Sequence, residues 1–387
     1  MTDDRWPWRA GLVGHTGRGD YGHDLDLACG GMAELEVVAL ADPDPAGRER
    51  AAARSGAKRT YAEYETMLAE ERLDLVVVAS RRPDGHAAAI EAAVRSGAHV
   101  YTEKPFVKTL AEADRVLRLA EVASVKISVA HVSRAYASLA RVRGLIERGA
   151  IGRLRFVRAY GKCDRRGGGQ DFVVLGTHLL DLMRYFGGEV RWCHAHFTQD
   201  GRDAREEHAL DGDEGVGPIF GNGLTAYYAF EDGVAGEFET LVAEDRGGSA
   251  FSLLLYGTGG ALAIRSHGDR QMFVHPRAVP LPGDAPGWER LVLDGHEPEG
   301  PDDASARYVW SHQQLIRDLV TAATAGREPV ASARDGAAAL EMIVGAYQSH
   351  LSGSRVTFPL IERTHPLECT ADVTAQVRGN FRCEGEK

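Results

Sequence analysis

The chain has 387 residues, of which 44% are hydrophobic and 26% charged, and a formal net charge of −11. That length exceeds what one hydrophobic core usually serves, so two domains are expected. The acidic balance argues against nucleic acid as a partner, and no run of 18 apolar residues suggests a membrane-spanning helix.

Met1–Ala10 lacks the apolar run of a secretory signal. The five cysteines (Cys29, Cys163, Cys193, Cys369, Cys383) are odd in number and form no C-x-x-C pair, which points to reduced thiols in a cytoplasmic protein.

Arg9–Gly14 is a short apolar run ending in glycine, as a buried first strand should be. Leu35–Ala41, Leu73–Ala79, His99–Thr102 and Val125–Ala130 read as further strands. Between them, Pro45–Ser55, Pro83–Ser96 and Thr109–Ala123 carry helical spacing. Gly97 stands where a C-cap glycine belongs, and Thr109 to Glu112 is a capping-box sequence. Strands alternating with helices imply a doubly wound parallel sheet, whose ligand site lies at the carboxyl ends of its strands.

The loop after the first strand, Gly14 to Gly22, fits a G-x-G-x-x-G template in two imperfect registers. One starts at Gly14 and puts Thr16 in place of the second glycine; the other runs through Gly17, Gly19 and Gly22. In either register, glycines let backbone amides approach a pyrophosphate at a helix N-terminus. Gly14, His15, Thr16, Gly17, Arg18 and Gly19 are therefore candidate cofactor contacts. Ser80, Arg81, His86 and Glu103, at or just beyond later strand ends, complete the set.

Asp42 ends the second strand near the offset of an acid that binds the adenosine ribose, which favours NAD over NADP. It also fits a turn aspartate before Pro43. Lys104, at the next-to-last strand end, is placed to hydrogen-bond a substrate hydroxyl beside a nicotinamide and assist its proton transfer.

After Gly152, alternation dominates: Leu154–Tyr160, Leu224–Phe230, Val234–Leu241 and Phe251–Tyr256 read as strands of a large, mostly antiparallel open sheet. Helices are expected at Thr177–Phe186, Ser311–Ala325 and Ser332–Ser352. His194 and His196 share one strand face, but no ligand spacing supports a metal, and none is expected. The expected division is residues 1–131, 132–360 and a polar tail, 361–387.

The run Ala92 to Pro105, ending Tyr-Thr-Glu-Lys-Pro, resembles the signature of the glucose–fructose oxidoreductase, inositol dehydrogenase and rhizopine-catabolism (Gfo/Idh/MocA) family. His131-Val-Ser-Arg134, Leu145–Arg153 and Gly176-Thr-His178-Leu-Leu-Asp181 are similar to later family segments. The resemblance covers roughly residues 9–360. It implies a Rossmann domain followed by a C-terminal α/β domain, a nicotinamide cofactor, and oxidation or reduction of sugars and polyols. It also implies Lys104 and His178 as the catalytic pair.

The family aspartate four residues before this histidine is here Val174, with Asp171 nearby. Arg134, Arg165 and Arg166 are further substrate-side candidates; the two arginines of the 162–169 loop either clamp an anionic group or sit in solvent. The expected activity is NAD-dependent hydride transfer at a sugar or cyclitol hydroxyl, by a homodimer or homotetramer. The alternatives are a ketone reductase, a redox-neutral NAD-dependent glycosidase or lyase, and a non-catalytic dinucleotide sensor.

Overall fold

In a computed structural model, residues 6–243, 250–265, 271–292 and 300–368 are described; Cys369, Cys383 and the polar tail beyond residue 368 lie outside them. Six strands, Trp8–Val13 (β1), Leu35–Ala41 (β2), Arg59–Tyr61 (β3), Leu75–Val78 (β4), His99–Thr102 (β5) and Ile127–Val129 (β6), form a parallel sheet. Their order is β3-β2-β1-β4-β5-β6, so the chain reverses direction of travel between β1 and β4. In such sheets that switch point opens the ligand crevice.

The strands are apolar throughout because both faces are covered. Leu75 and Val77 point into one core with Leu12, Val37 and Tyr101; Val76 and Val78 point into the other with Val13, Val38 and Val100. Helices Leu25–Gly30 (α1) and Pro45–Ser55 (α2) contribute to the first core. Tyr64–Glu70 (α3), His86–Arg95 (α4) and Leu110–Ala123 (α5) contribute to the second. Thr109 caps α5 with the expected reciprocal bonds to Glu112. β3 and α3 were not expected: β3 is three residues long and largely exposed, so it carries no apolar signal.

One expectation about the glycine loop needs correction. The first helix does not begin at the glycines but at Leu25, after a turn in which His23 and Asp24 adopt left-handed conformations. The loop folds on itself instead, with Arg18 N and Asp20 N donating to His15 O and Gly17 N donating to Asp20 Oδ1.

Helix Ala137–Glu147 (α6) leads into strand Leu154–Tyr160 (β7), helices Gly169–Val174 (α7) and Gly176–Gly187 (α8), and strand Val190–Gln199 (β8). α7 was not expected, since its glycine and β-branched residues disguise it. β7 pairs antiparallel with Ser252–Gly257 and parallel with Ala235–Leu241; the latter leads through Gly223–Phe230 to β8. Ala261–Arg265 and Gln271–His275 extend the other side, giving a large mixed sheet.

One face of this sheet is buried beneath α7 and α8, with Phe172, Phe197, Phe238 and Tyr347 at the centre. The opposite face is open: along β8, Cys193, Ala195 and Phe197 are buried while His194 and His196 are exposed.

Two long helices close the structure, Ala304–Ala325 (α9) and Ala333–Ser352 (α10). α9 starts two turns before the expected Ser311, capped by the Asp303 carboxylate on Ala306 N. Its Leu315, Ile316 and Leu319 fill the first core of the parallel sheet. α10 faces both sheets, with Ala333, Ala337, Leu340 and Val344 in the parallel-sheet core and Met342, Ile343 and Tyr347 in that of the mixed sheet. Among the described residues, no helix is long and apolar enough to cross a membrane.

Candidate active site

A cleft of about 260 Å³ runs along the carboxyl ends of β1, β2 and β4. Val13, Ala41 and Val78 form its apolar floor, and Gly14, His15, Arg18, Ser80 and His86 line it as the sequence suggested. Two glycines are dictated by close approach. A Cβ on Gly14 would collide with the Tyr21 ring, and Gly19 has φ of +95° with the Ser80 hydroxyl against it.

Arg18 and Arg82 both pair with the single carboxylate of Asp84, at 3.0 Å each, so this trio keeps a net positive charge. An apolar floor beside such a group suits a dinucleotide, whose bases need apolar contact and whose pyrophosphate needs positive charge. The His86 ring lies between Ser80 O at 2.7 Å and Pro105 O at 3.0 Å, tying this cleft to the turn that carries Lys104.

Thr16, Gly17, Gly19, Arg81 and Asp42 are not among the residues lining the cleft. Asp42 is fully buried. Its carboxylate accepts from Thr16 N at 3.1 Å, Thr16 Oγ1 at 2.7 Å and Asp44 N at 2.9 Å. Thr16 thus fills the second-glycine position by turning its side chain down onto Asp42. The exposed carboxylate at this end of the cleft belongs to Glu63.

A second cavity, of about 280 Å³, contains Lys104 and His178 in its wall. Lys104 stands two residues after the end of β5. Glu103 N donates to Val78 O, and the Glu103 carboxylate accepts from Lys104 N at 2.8 Å, fixing the turn. Lys104 is itself buried, and its Nζ donates to Val174 O at 3.4 Å. Burial alone would push the Glu103 carboxyl up. The His23 ring, at 2.7 Å, and the Lys104 charge outweigh that and hold it below the usual carboxylate range.

His178 sits in the first turn of α8. Its ring meets His131 and Phe251 edge-on, and its Nδ1 has no protein hydrogen-bond partner although buried. Burial, then the positive charge of Lys104, drives its pKa well below the ordinary histidine value. Both effects favour the neutral imidazole, the form able to accept a proton.

Several sequence candidates are engaged elsewhere. Arg134 makes a buried bidentate pair with Asp181, 2.7 Å at each contact, and lies over the Tyr185 ring. Asp181 faces Arg134 and His131. Arg166 pairs with Asp164 two residues earlier, and Arg165 is exposed and away from the cavity lining.

Asp171 is buried and accepts from the Thr240 hydroxyl and Cys163 N, so it does not line the cavity beside His178. The exposed His196 pairs with Asp203. Lys162 lines the cavity, as expected of the 162–169 loop; His23, Arg307 and His312 also line it and were not anticipated. No local pattern marks those three, because they come from a turn and from α9.

The two halves of the chain match the two halves of one protein family. Residues 9–131 match its model "Oxidoreductase family, NAD-binding Rossmann fold", and residues 144–358 its model "Oxidoreductase family, C-terminal alpha/beta domain". The chain belongs to the Gfo/Idh/MocA oxidoreductase family. As a Gfo/Idh/MocA member it is an NAD-dependent oxidoreductase with the two-domain α/β fold expected from its sequence.

Among its relatives, a D-apiose dehydrogenase of Paraburkholderia graminis is 25% identical over 86% of this chain and 85% of its own length. Levoglucosan dehydrogenase, solved with NADH and levoglucosan, superposes with a TM-score of 0.71 at 20% identity, over 91% of this chain and 99% of that one. A myo-inositol 2-dehydrogenase from Lactobacillus plantarum gives a TM-score of 0.68 at 21% identity, over the same shares of the two chains.

Proposed function

We propose that this protein transfers a hydride reversibly between NAD and a secondary hydroxyl of a sugar or cyclitol, with Lys104 and His178 as its catalytic pair. The observation that carries this reading is their shared cavity wall: a buried ammonium and a neutral, unpartnered imidazole face one space beside the strand ends. The D-apiose, levoglucosan and inositol dehydrogenases named above support the substrate class.

The nicotinamide supplies the hydride acceptor. The protein's task is then to orient one carbinol group and remove its proton. Lys104 donates a hydrogen bond to the hydroxyl oxygen and stabilises negative charge developing there. His178, kept neutral by burial, accepts the hydroxyl proton. Val174 O holds the lysine ammonium from behind.

Arg18 and Arg82 are assigned to the cofactor pyrophosphate, and Asp42 to the adenosine end, where it holds the loop through Thr16 and disfavours a 2′-phosphate. The open face of the mixed sheet, where Trp192 stacks on Tyr227, is assigned to self-association as a homodimer or homotetramer.

The deciding experiment incubates the purified enzyme with NAD and a panel of aldoses, anhydrosugars and cyclitols. Reduced nicotinamide and products are followed together. At least one substrate yields stoichiometric NADH and a keto or lactone product, and Lys104→Ala lowers the rate by roughly 10² or more. Cleavage of a glycoside without accumulation of NADH would replace this reading with the redox-neutral one.

A further inference from the structure

Three side chains from distant parts of the sequence converge at the cavity. His23 lies in the turn before α1, Glu103 at the end of β5, and His312 within α9. Each offers a ligand atom within 4.8 Å of the other two. His23 and His312 line the cavity directly. His312 is fully buried, with Nδ1 at 2.7 Å from the Tyr101 hydroxyl and Nε2 without any partner. A buried ring nitrogen left unpaired is costly, so something other than this chain's own side chains is expected to satisfy it.

We propose that His23, Glu103 and His312 form a binding site for a divalent transition-metal ion of the zinc class, with open coordination positions facing the cavity. Two imidazoles and one carboxylate are the donor set of a zinc centre that keeps a position free for water or substrate.

The surroundings are those such a site needs. The Tyr101 hydroxyl orients the His312 ring from its far nitrogen, as outer-shell partners of metal-ligating histidines do. Glu103 uses one oxygen on Lys104 N and turns the other toward His23. Bond lengths of about 2.0–2.2 Å put ligand atoms roughly 3–3.5 Å apart, so the His23–Glu103 pair, now at 2.7 Å, must open slightly and the cluster, whose ligand atoms lie within 4.8 Å, must adjust to that spacing. His23 has the room to do so, since its side chain is 32% exposed on a turn.

The carboxylate offsets part of the ion's charge, and the neighbouring Lys104 ammonium is drawn toward Val174 O. That residual positive charge makes the site weaker than a closed structural zinc site. On the reading of this cavity as the substrate site, the open positions would take substrate oxygens and acidify the reacting hydroxyl.

The test measures metal directly and needs no substrate. Tag-free enzyme is stripped with chelator and loaded with Zn²⁺, then desalted and analysed for metal; Co²⁺ titration reports coordination through its visible absorption bands. One equivalent per chain is expected, with affinity falling at least about tenfold in His23→Gln and in His312→Gln.

NAD binding verifies that each variant is folded. Should His312→Gln fail to fold, the partly exposed His23 decides alone. Negligible Zn²⁺ retention by the native chain overturns the proposal, as does Co²⁺ binding that is unchanged in His23→Gln. Metal retention without sugar oxidation would refute the proposed reaction and leave the metal site standing.

Discussion

The ammonium of Lys104 donates to the main-chain carbonyl of Val174 at 3.4 Å. Val174 stands where the sequence comparison leads one to look for an aspartate, and its side chain is packed in the core of the second domain. The lysine therefore keeps an oxygen partner that no side-chain replacement at position 174 removes. What is lost is the negative charge. A neutral acceptor leaves the Lys104 cation uncompensated on that side, where it reinforces the neutrality of His178.

Replacing Lys104 by alanine is expected to lower kcat by roughly 10² or more, the scale of a lost proton-transfer partner, with little change in NAD affinity. Steady-state kinetics alongside NAD titration separate the two. Turnover within a few-fold of native would reduce Lys104 to a positioning residue.

The pH dependence follows from His178. A base that works as the neutral ring is present above its pKa, and burial and Lys104 push that pKa down. The acid limb of kcat/KM is thus expected below the ordinary histidine value of ~6.5. Val174→Asp should move the limb to higher pH if the new carboxylate, placed where a valine packs in the core, sits beside the ring. A native rate and profile in His178→Ala would sink the assignment and send attention to other groups, Asp171 first.

Cofactor choice depends on Asp42 and on the loop it holds. Binding of NAD at least roughly tenfold tighter than NADP is expected, a difference of about 1.4 kcal/mol, and Asp42→Ala should narrow the gap. Thr16→Val removes only the hydroxyl that meets Asp42, so it should weaken both cofactors alike. Equal affinity of the native protein for NAD and NADP would refute the role given to Asp42.

The Arg134–Asp181 pair is buried on both sides, and breaking one half leaves a bare charge. Asp181→Ala is expected to cost about 3–5 kcal/mol of stability. Burial would raise the Asp181 pKa, but Arg134 and then His131 hold it far below the usual carboxylate range. The pair's contribution is therefore complete above the unfolded value of ~3.9 and fades as pH falls further toward the folded one. Thermal melts of native and variant should differ by a constant margin from pH 5 to 8 and converge in acid. A variant that melts with the native protein at neutral pH would show the pair to be dispensable.

Much of the first domain was legible because a buried parallel strand advertises itself as an unbroken apolar run, as in Leu75–Val78. The lysine was legible because it follows such a strand. β3 was not, since Arg59–Tyr61 lies at a sheet edge and is selected by neighbours rather than by hydrophobicity. Arg166 looked free because a sequence does not show that Asp164 curls back to it. His23 and His312 escaped notice for another reason: nearly three hundred positions separate them, and only the packing of α9 against the first sheet joins them.

That packing sets the order in which the protein can mature during synthesis. Leu315, Ile316 and Leu319 complete one core of the parallel sheet, and Ala337, Leu340 and Val344 the other, yet all six are translated long after β6. At about 5–20 residues per second, the growing chain carries its first domain with uncovered apolar surface for on the order of ten seconds or more. The nascent amino-terminal half is thus a client for holding chaperones, and a message truncated before α9 yields a product destined for proteolysis. A circular permutant opened near residue 300 would deliver those helices first and shorten the vulnerable interval.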